Sequence, residues 1–377
     1  MKKIALLGST GSIGVQTLNV VRRNPEKFQI VSLAAGENRN LFYEQVKEFQ
    51  PAVATLSNGC DFANQFPKTD FFYGENSFTN AVIDEADIVV VALVGFKGII
   101  AVLEAINKGK DVALANKESL VVGGDLVMRL AKQKGVNIYP IDSEHSALWQ
   151  ALSFDFEKPF NRLILTASGG AFRDFSIEQI KNAKAQDALK HPNWAMGAKI
   201  TVDCATMVNK AFEVIEAKWL YNAPFDKIDV IIHRESLIHS IVEYADGSSI
   251  AQMSYPSMEI PIALALEPSL RLKSNVKGLD FATLGKLTFA EVDKEKYPCF
   301  DLVVNAGKEG GCLPAVANGA NEIAVKLFLE GKINCEGIYK AIDYALNKFS
   351  GDCVGDFECY QKADEFARNV VKELFGV

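Results

Sequence analysis

No stretch of this chain is apolar for long enough to cross a bilayer, since a spanning helix needs about 20 consecutive apolar residues. The nearest approach to an exported leader is Met1-Lys2-Lys3 followed by Ile4-Ala5-Leu6-Leu7. Gly8-Ser9-Thr10-Gly11 interrupts it well short of a signal-peptide core. That opening reads as a strand, so no organelle-targeting extension is expected, and the expected location is a bacterial-type cytoplasm. The seven cysteines are odd in number and contain no C-x-x-C pair, which excludes a disulfide framework or a cysteine zinc site and fits free thiols in a reducing compartment. A basic excess is missing too. With a formal net charge of −7 the surface suits neither nucleic acid nor an anionic membrane, and an anionic small molecule would need a local basic pocket. Internal repeats and low-complexity tracts are absent from the sequence.

What is present is enough apolar residue for two or three domains: 377 residues, 49% hydrophobic. Ile4 to Leu7 reads as a strand, Gly8-Ser9-Thr10-Gly11-Ser12-Ile13-Gly14 as a glycine loop, and Val15, Leu18 and Val21 as the buried stripe of a helix. Glycines there let the backbone approach a pyrophosphate, which the positive end of the helix stabilises. Further strand-like runs at 29–35, 87–93 and 111–115 alternate with helical stretches, so a doubly wound parallel sheet is expected. The second strand ends at Gly36-Glu37-Asn38-Arg39, where such a domain places the adenosine ribose. Glu37 suits a free 2′-hydroxyl and Arg39 a 2′-phosphate, which leaves NAD against NADP open. The run at 111–115 leads into Asn116-Lys117-Glu118, at the edge where ligands bind.

Beyond this half, a short apolar run from Val136 ends in Asp142-Ser143-Glu144-His145. In an extended segment, side chains two apart point to the same side, so Asp142 and Glu144 would converge. Two unit charges about 4 Å apart repel by roughly 4 kcal/mol at an effective dielectric near 20, so the pair calls for a cation, a shared proton or open water. A strand-like run at 162–166 ends at Ser168-Gly169-Gly170-Ala171-Phe172, a second candidate anion loop, and Ser176 with Gln179 has capping-box spacing. His191-Pro192-Asn193-Trp194-Ala195-Met196-Gly197 brackets an aromatic between Pro and Gly, which suits either a closing lid or a fixed surface loop. Met207 to Leu220 reads as a helix with Asn209 and Glu213 on one face and Lys210 about 100° round. Strand-like alternation at 228–233, 240–245 and 250–254, with a hairpin turn at 246–249, gives a second sheet. Periodicity fades over 268–298, and helical patterns return from about Pro314 to Leu374.

Taken in order, Gly-Ser-Thr-Gly-Ser-Ile-Gly, Ala-Asn-Lys-Glu-Ser, Asp-Ser-Glu-His, Ser-Gly-Gly-Ala-Phe, His-Pro-Asn-Trp-x-Met-Gly and Asn-Lys-x-x-Glu resemble the 1-deoxy-D-xylulose 5-phosphate reductoisomerase family of the non-mevalonate isoprenoid pathway. The resemblance runs from about residue 3 to the C-terminus. It implies an α/β protein: a Rossmann-type doubly wound domain over 1–140, a catalytic α/β domain over 141–267 carrying a dimer-interface sheet, a linker over 268–298 and an α-helical domain over 299–377. It also implies a homodimer acting on a small phosphorylated sugar, with rearrangement and NADPH reduction giving 2-C-methyl-D-erythritol 4-phosphate.

Residue by residue, the resemblance implies that Thr10, Gly11, Ser12, Ile13, Gly36, Glu37, Asn38, Asn116, Glu118 and Gly197 contact NADPH. Asp142, Glu144 and Glu213 would hold one metal ion, and three hard oxygen donors select Mg²⁺ or Mn²⁺ over zinc. Ser168, His191, Asn209 and Lys210 would take the substrate phosphate, with Ser143 and Glu144 toward the hydroxyl end. Lys117 and Glu144 are the expected catalytic groups, and Glu213 also counts among the substrate contacts. Two positions depart from the family pattern. Cys204 stands where a phosphate-binding serine is usual, and a thiol is a weak donor. Glu37 stands where a basic residue is common, so Arg39 is the expected substitute for the 2′-phosphate contact.

Overall fold

The computed structural model describes residues 1–190, 192–194, 196–268, 270–351 and 355–377. In chain order the first elements are β1 (Lys2–Leu7), α1 (Ser12–Arg23), β2 (Phe28–Ala35), α2 (Arg39–Phe49), β3 (Val53–Leu56), β4 (Asp70–Tyr73), β5 (Ile88–Val91), α3 (Lys97–Asn107), β6 (Asp111–Leu114), α4 (Glu118–Lys134) and β7 (Ile138–Pro140). There follow α5 (Ser143–Ala151), β8 (Arg162–Ala167), α6 (Ile177–Lys181), α7 (Ala185–Ala188), α8 (Ala198–Ala205), α9 (Val208–Leu220), β9 (Ile228–Ile232), β10 (Ile238–Glu243), β11 (Ser249–Met253) and α10 (Glu259–Leu266). The last elements are α11 (Phe281–Leu284), β12 (Ala290–Glu291), α12 (Pro298–Glu309), α13 (Leu313–Leu329), α14 (Cys335–Lys348) and α15 (Phe357–Phe375).

Two compact units result. The first comprises Met1–Ser119, Val127–Ser146 and Ser257–Val276. Its seven-stranded sheet has the order β4-β3-β2-β1-β5-β6-β7, and every pairing is parallel. Parallel strands need helical crossovers that cover both faces, which is why β5 reads as four buried valine and isoleucine residues with no alternation. Ile4, Leu6, Leu18, Phe28, Ile30, Leu33, Phe42 and Val90 make its core, and Ile262 and Leu266 of α10 belong to the same cluster. Arg23 clamps α10 onto the end of α1 through two hydrogen bonds to Glu259, of 2.6 and 2.5 Å, and the Lys2 ammonium donates to the Leu266 carbonyl at 2.7 Å.

The second unit comprises Leu120–Leu126, Ala147–Pro256 and Lys277–Val377. Its five-stranded mixed sheet has the order β11-β10-β8-β9-β12, parallel only at β8 and β9. Helix α9 packs against α12, and α13 lies between α14 and α15. Small residues let α13 approach closely: a Cβ on Gly319 would stand 2.9 Å from the Asp364 carbonyl oxygen. Among the described residues no helix is long and apolar enough to cross a membrane.

Two sequence expectations change in detail, and a third holds. Strands β3 and β4 extend the first sheet beyond the runs legible as strands, because segments of four residues carry too little pattern to stand out. The segment after β7 is not extended: Ser143 opens α5, with the Ser143 N–H on Asp142 Oδ1 at 3.0 Å and the Ser146 N–H on the Asp142 carbonyl at 2.8 Å. The capping box at Ser176 and Gln179 is present, both reciprocal bonds made.

Candidate active site

The order of the first sheet reverses direction between β1 and β5, the point at which doubly wound folds open a crevice at the strands' carboxyl ends. The glycine loop leaves β1 there. A Cβ on Gly8 (φ +92°) would stand 2.4 Å from the Ala92 carbonyl oxygen, and one on Gly14 would stand 2.2 Å from the Gly8 carbonyl oxygen, so both approaches need glycine. Gly11 caps α1 with extended backbone and no side-chain bond, and the first turn holds no acidic residue. Gly11 and Ser12 are exposed. Uncapped N–H groups at an exposed helix start, with no carboxylate beside them, fit a diphosphate.

At the end of β2, Gly36, Glu37, Asn38 and Arg39 are all exposed. Asn38 caps α2 by accepting the Leu41 N–H at 3.2 Å, and Arg39 begins that helix with its guanidinium in solvent.

The polar run after β6 is buried. Asn116 donates to the carbonyls of Leu93 and Gly95 at 3.1 and 3.0 Å and to Glu118 at 3.0 Å, and accepts from Ser119 N and Oγ. Gly98 leaves room for it, since a Cβ there would meet Asn116 Oδ1 at 1.9 Å. The Asn116 side chain therefore ties the loop after β5 to the start of α4 and fixes the backbone at Lys117.

Strands β6 and β7 are parallel neighbours, with Leu114 opposite Pro140. Residues just past their ends share one edge, so Lys117 Nζ lies 2.5 Å from Asp142 Oδ2, the two side chains 7% and 14% exposed. A Glu144 carboxylate oxygen lies within 4.8 Å of one on Asp142, and Glu144 accepts the Ser143 hydroxyl at 2.5 Å. His145 Nδ1 is 3.9 Å from Asp142 Oδ2. The pair of acids converges through the turn of α5 and not through an extended strand, while the start of α5 and the Lys117 ammonium offset their repulsion.

In the second unit, Met207 takes a left-handed conformation (φ 62°) between α8 and α9. Asn209 Nδ2 donates to Glu213 Oε1 at 2.5 Å, and Lys210 pairs with Glu213 Oε2, all three groups buried. A charge as deep as Glu213 must be paired, since an isolated buried carboxylate costs several kcal/mol. The loop after β8 holds Ser168, whose Oγ accepts the Gly170 N–H at 3.1 Å. Gly170 (φ +63°) backs onto the end of α8: a Cβ there would stand 2.4 Å from the carbonyl oxygen of Cys204. Cys204 is half-buried and in no disulfide. Gly197 caps α8, and Asn193 reaches the Arg234 carbonyl at 2.9 Å and Ser236 Oγ at 2.6 Å. His191 and Ala195 of the same loop lie outside the described residues.

Two contacts were not legible in the sequence. Tyr297, at the start of α12, donates to the Gly169 carbonyl at 3.0 Å, and burial pushes its phenol up to about 12, so it stays a donor. Asn321 of α13 donates to Asp203 Oδ1 of α8 at 2.8 Å. The only hint of the second was a pair of asparagines, Asn318 and Asn321, in the apolar first half of the helix.

A glycine loop at the switch point of a doubly wound sheet, followed by lysine-paired carboxylates at the same edge, defines a dinucleotide-dependent α/β enzyme for an anionic substrate. Family models described as 1-deoxy-D-xylulose 5-phosphate reductoisomerase, its C-terminal domain and the DXP reductoisomerase C-terminal domain match residues 4–124, 138–221 and 253–370. A reductoisomerase of Chlorobium limicola is 45% identical over the whole of both chains, and that of Shouchella clausii 47% identical over 98% of this chain and 99% of its own. A crystal structure of DOX-P reductoisomerase in complex with NADPH, fosmidomycin and magnesium superposes with a TM-score of 0.94 at 38% identity, covering 100% of this chain and 98% of that one. The Zymomonas mobilis enzyme in complex with NADPH gives 0.91 at 34% identity, with coverage of 100% and 99%. The chain belongs to the 1-deoxy-D-xylulose 5-phosphate reductoisomerase family. It is an NADPH- and metal-dependent enzyme that converts 1-deoxy-D-xylulose 5-phosphate to 2-C-methyl-D-erythritol 4-phosphate.

Proposed function

We propose that Asp142, Glu144 and Glu213 are the ligands of the divalent metal, and that Lys117 and Glu144 are the catalytic groups. The observation that carries this is the crowding of Asp142 and Glu144, with the Lys117 ammonium 2.5 Å from Asp142 in a largely buried setting. The donor set fits Mg²⁺ or Mn²⁺: every candidate ligand is a carboxylate, and Lys210 already supplies Glu213 with positive charge. When bound, the metal supplies Lewis acidity at the substrate's oxygens. Lys117 Nζ, held by the turn that Asn116 clasps, is placed to give or take a proton at a reacting oxygen and to offset charge there. Ser143 and Glu144 orient the hydroxyl end of the substrate. Ser168, Asn209 and Lys210, with Cys204 and His191, take the phosphate, and the buried Lys210 is the local basic group that a net-negative chain needs for an anionic substrate.

For the coenzyme, Thr10, Gly11, Ser12 and Ile13 take the diphosphate at the start of α1. Gly36, Glu37 and Asn38 take the adenosine end, and Asn116, Glu118 and Gly197 the nicotinamide side. Arg39, exposed and one residue past the Asn38 cap, is the group that fits the 2′-phosphate. Functionally the chain divides into a nucleotide part over 1–140, a catalytic part over 141–267, a linker over 268–298 and a helical part over 299–377. The loop 191–197 works as a lid. The chain acts in the cytoplasm as a homodimer formed through the second sheet, whose edge strand β11 leaves Ile250 47% exposed.

Chelation tests the metal assignment: turnover is lost in EDTA, returns with Mg²⁺ or Mn²⁺, and Glu213→Gln binds Mn²⁺ at least tenfold more weakly in a direct titration. Full activity in metal-free buffer, or unchanged Mn²⁺ binding by the variant, overturns it.

A further inference from the structure

We infer that Tyr297 and Asn321, which lie on the C-terminal helices, are positioning residues for the substrate's phosphate. This rests on the reading that Ser168, Asn209, Lys210 and the end of α8 take that phosphate. The loop after β8 and the end of α8 touch each other at Gly170 and Cys204, so a shift in either displaces both. Each is also bonded to a C-terminal helix. The Tyr297 hydroxyl donates to the carbonyl of Gly169, between Ser168 and Gly170, at 3.0 Å. The Asn321 amide donates to Asp203, adjacent to Cys204 in α8, at 2.8 Å.

Helix α8 is only eight residues long and ends two residues before the left-handed Met207 that launches Asn209 and Lys210. The orientation of so short a helix therefore bears directly on where α9 begins. Asp203 is 2% exposed, and its other oxygen pairs with Lys199 at 2.9 Å within the same helix. That ion pair joins two residues of one helix, with the Lys199 ammonium over the Phe212 ring of α9, whereas the Asn321 bond ties Asp203 to α13, where Asn321 is 0% exposed. Gly169 and Gly170 both have positive φ (81° and 63°), so the loop has wide conformational freedom that the Tyr297 bond restricts. Neither residue is a catalytic group; both act through the backbone they hold.

Tyr297→Phe deletes one hydroxyl at nearly constant volume, and Asn321→Ala deletes the amide. The measurements are KM for the phosphorylated substrate, Ki for inorganic phosphate as a competitor, KM for NADPH, kcat and Tm. Expected are rises of about threefold for Tyr297→Phe and about tenfold for Asn321→Ala in both substrate KM and phosphate Ki. KM for NADPH should stay within twofold and kcat within threefold. Unmoved KM and Ki in both variants overturn the inference, and so does a parallel decline of every parameter together with Tm, the mark of a merely structural role. Lys210→Ala and Asn209→Ala run alongside. Should they also leave phosphate Ki unmoved, the phosphate reading itself is what fails; should they raise it while Tyr297→Phe and Asn321→Ala do not, only the positioning role is lost.

Discussion

At the scale of single residues, the two departures from the family pattern bear on the proposed ligand contacts. Arg39 is exposed at the start of α2, beyond the Asn38 cap, and free to reach a 2′-phosphate, while Glu37 beside it opposes that charge. NADPH should therefore be preferred over NADH, and Arg39→Ala should cut the preference about tenfold, a charge-assisted bond contributing about 1.5–3 kcal/mol. The ratio of kcat/KM for the two coenzymes measures it, and an unchanged ratio removes Arg39 from the site. Cys204 offers a weak donor at the end of α8. Cys204→Ser should lower KM for the phosphorylated substrate up to tenfold, or leave it unchanged where water bridges the gap. A large increase would mean that the half-buried thiol packs in a way a hydroxyl cannot.

Among the elements, the loop before α8 carries the clearest conformational question. Trp194 is half-buried, its ring 6.3 Å from that of His239 in an edge-on arrangement, and Asn193 bonds the turn at 234–236. A fully buried tryptophan acting as core filler would cost about 3–5 kcal/mol on truncation, whereas a half-buried lid residue would cost much less. If the loop closes over substrate and excludes water, Trp194→Ala should reduce kcat tenfold or more with little change in Tm, and Trp194 fluorescence should change when substrate is added. A strong drop in Tm with no ligand-dependent fluorescence from this residue would make it a packing residue. Helix α4 shows a second kind of constraint. Its backbone breaks at Gly123 (φ −145°, ψ 43°), and a Cβ on Gly124 would stand 2.2 Å from Trp219 of α9, so Gly124 is needed for that close approach.

For the molecule as a whole, ionic contacts that join distant segments make stability depend on pH. Arg23 and Glu259 are 236 positions apart and form a bidentate pair inside the first unit. The hydrogen bonds from Arg23 hold the Glu259 carboxyl below its ordinary 4.5. A depressed carboxyl contributes stability that is present in full above its unfolded value and is lost as pH falls through the lower folded value. Glu259→Gln should therefore lower Tm at pH 7 by the equivalent of about 1 kcal/mol, a partly exposed pair being of that order. The gap should close in melts run down to about pH 3. A constant difference across that range would mean that Glu259 acts through packing and not through charge.

How much of this was legible from residues alone follows from the range of the forces involved. The β1–loop–α1 unit, the alternation that gives the parallel sheet, the hairpin at 246–249 and the helix bearing Asn209, Lys210 and Glu213 are set by backbone sterics, glycine conformations and apolar spacing, all of which act within a few residues. The motif set was legible for the same reason, because each motif is a short segment whose chemistry travels with it. The four-residue strands β3 and β4 and the turn after β7 were not, since their conformation is decided by neighbours far along the chain. Only the tertiary structure could place Lys117 on Asp142, because that pairing needs β6 and β7 side by side and parallel. The return of α10 to the first sheet, and the grip of Tyr297 and Asn321 on Gly169 and Asp203, belong to the same class. The polar partners there stand between 25 and 264 positions apart, and a buried donor or acceptor finds its partner by where the packed elements meet, which no local pattern in the chain encodes.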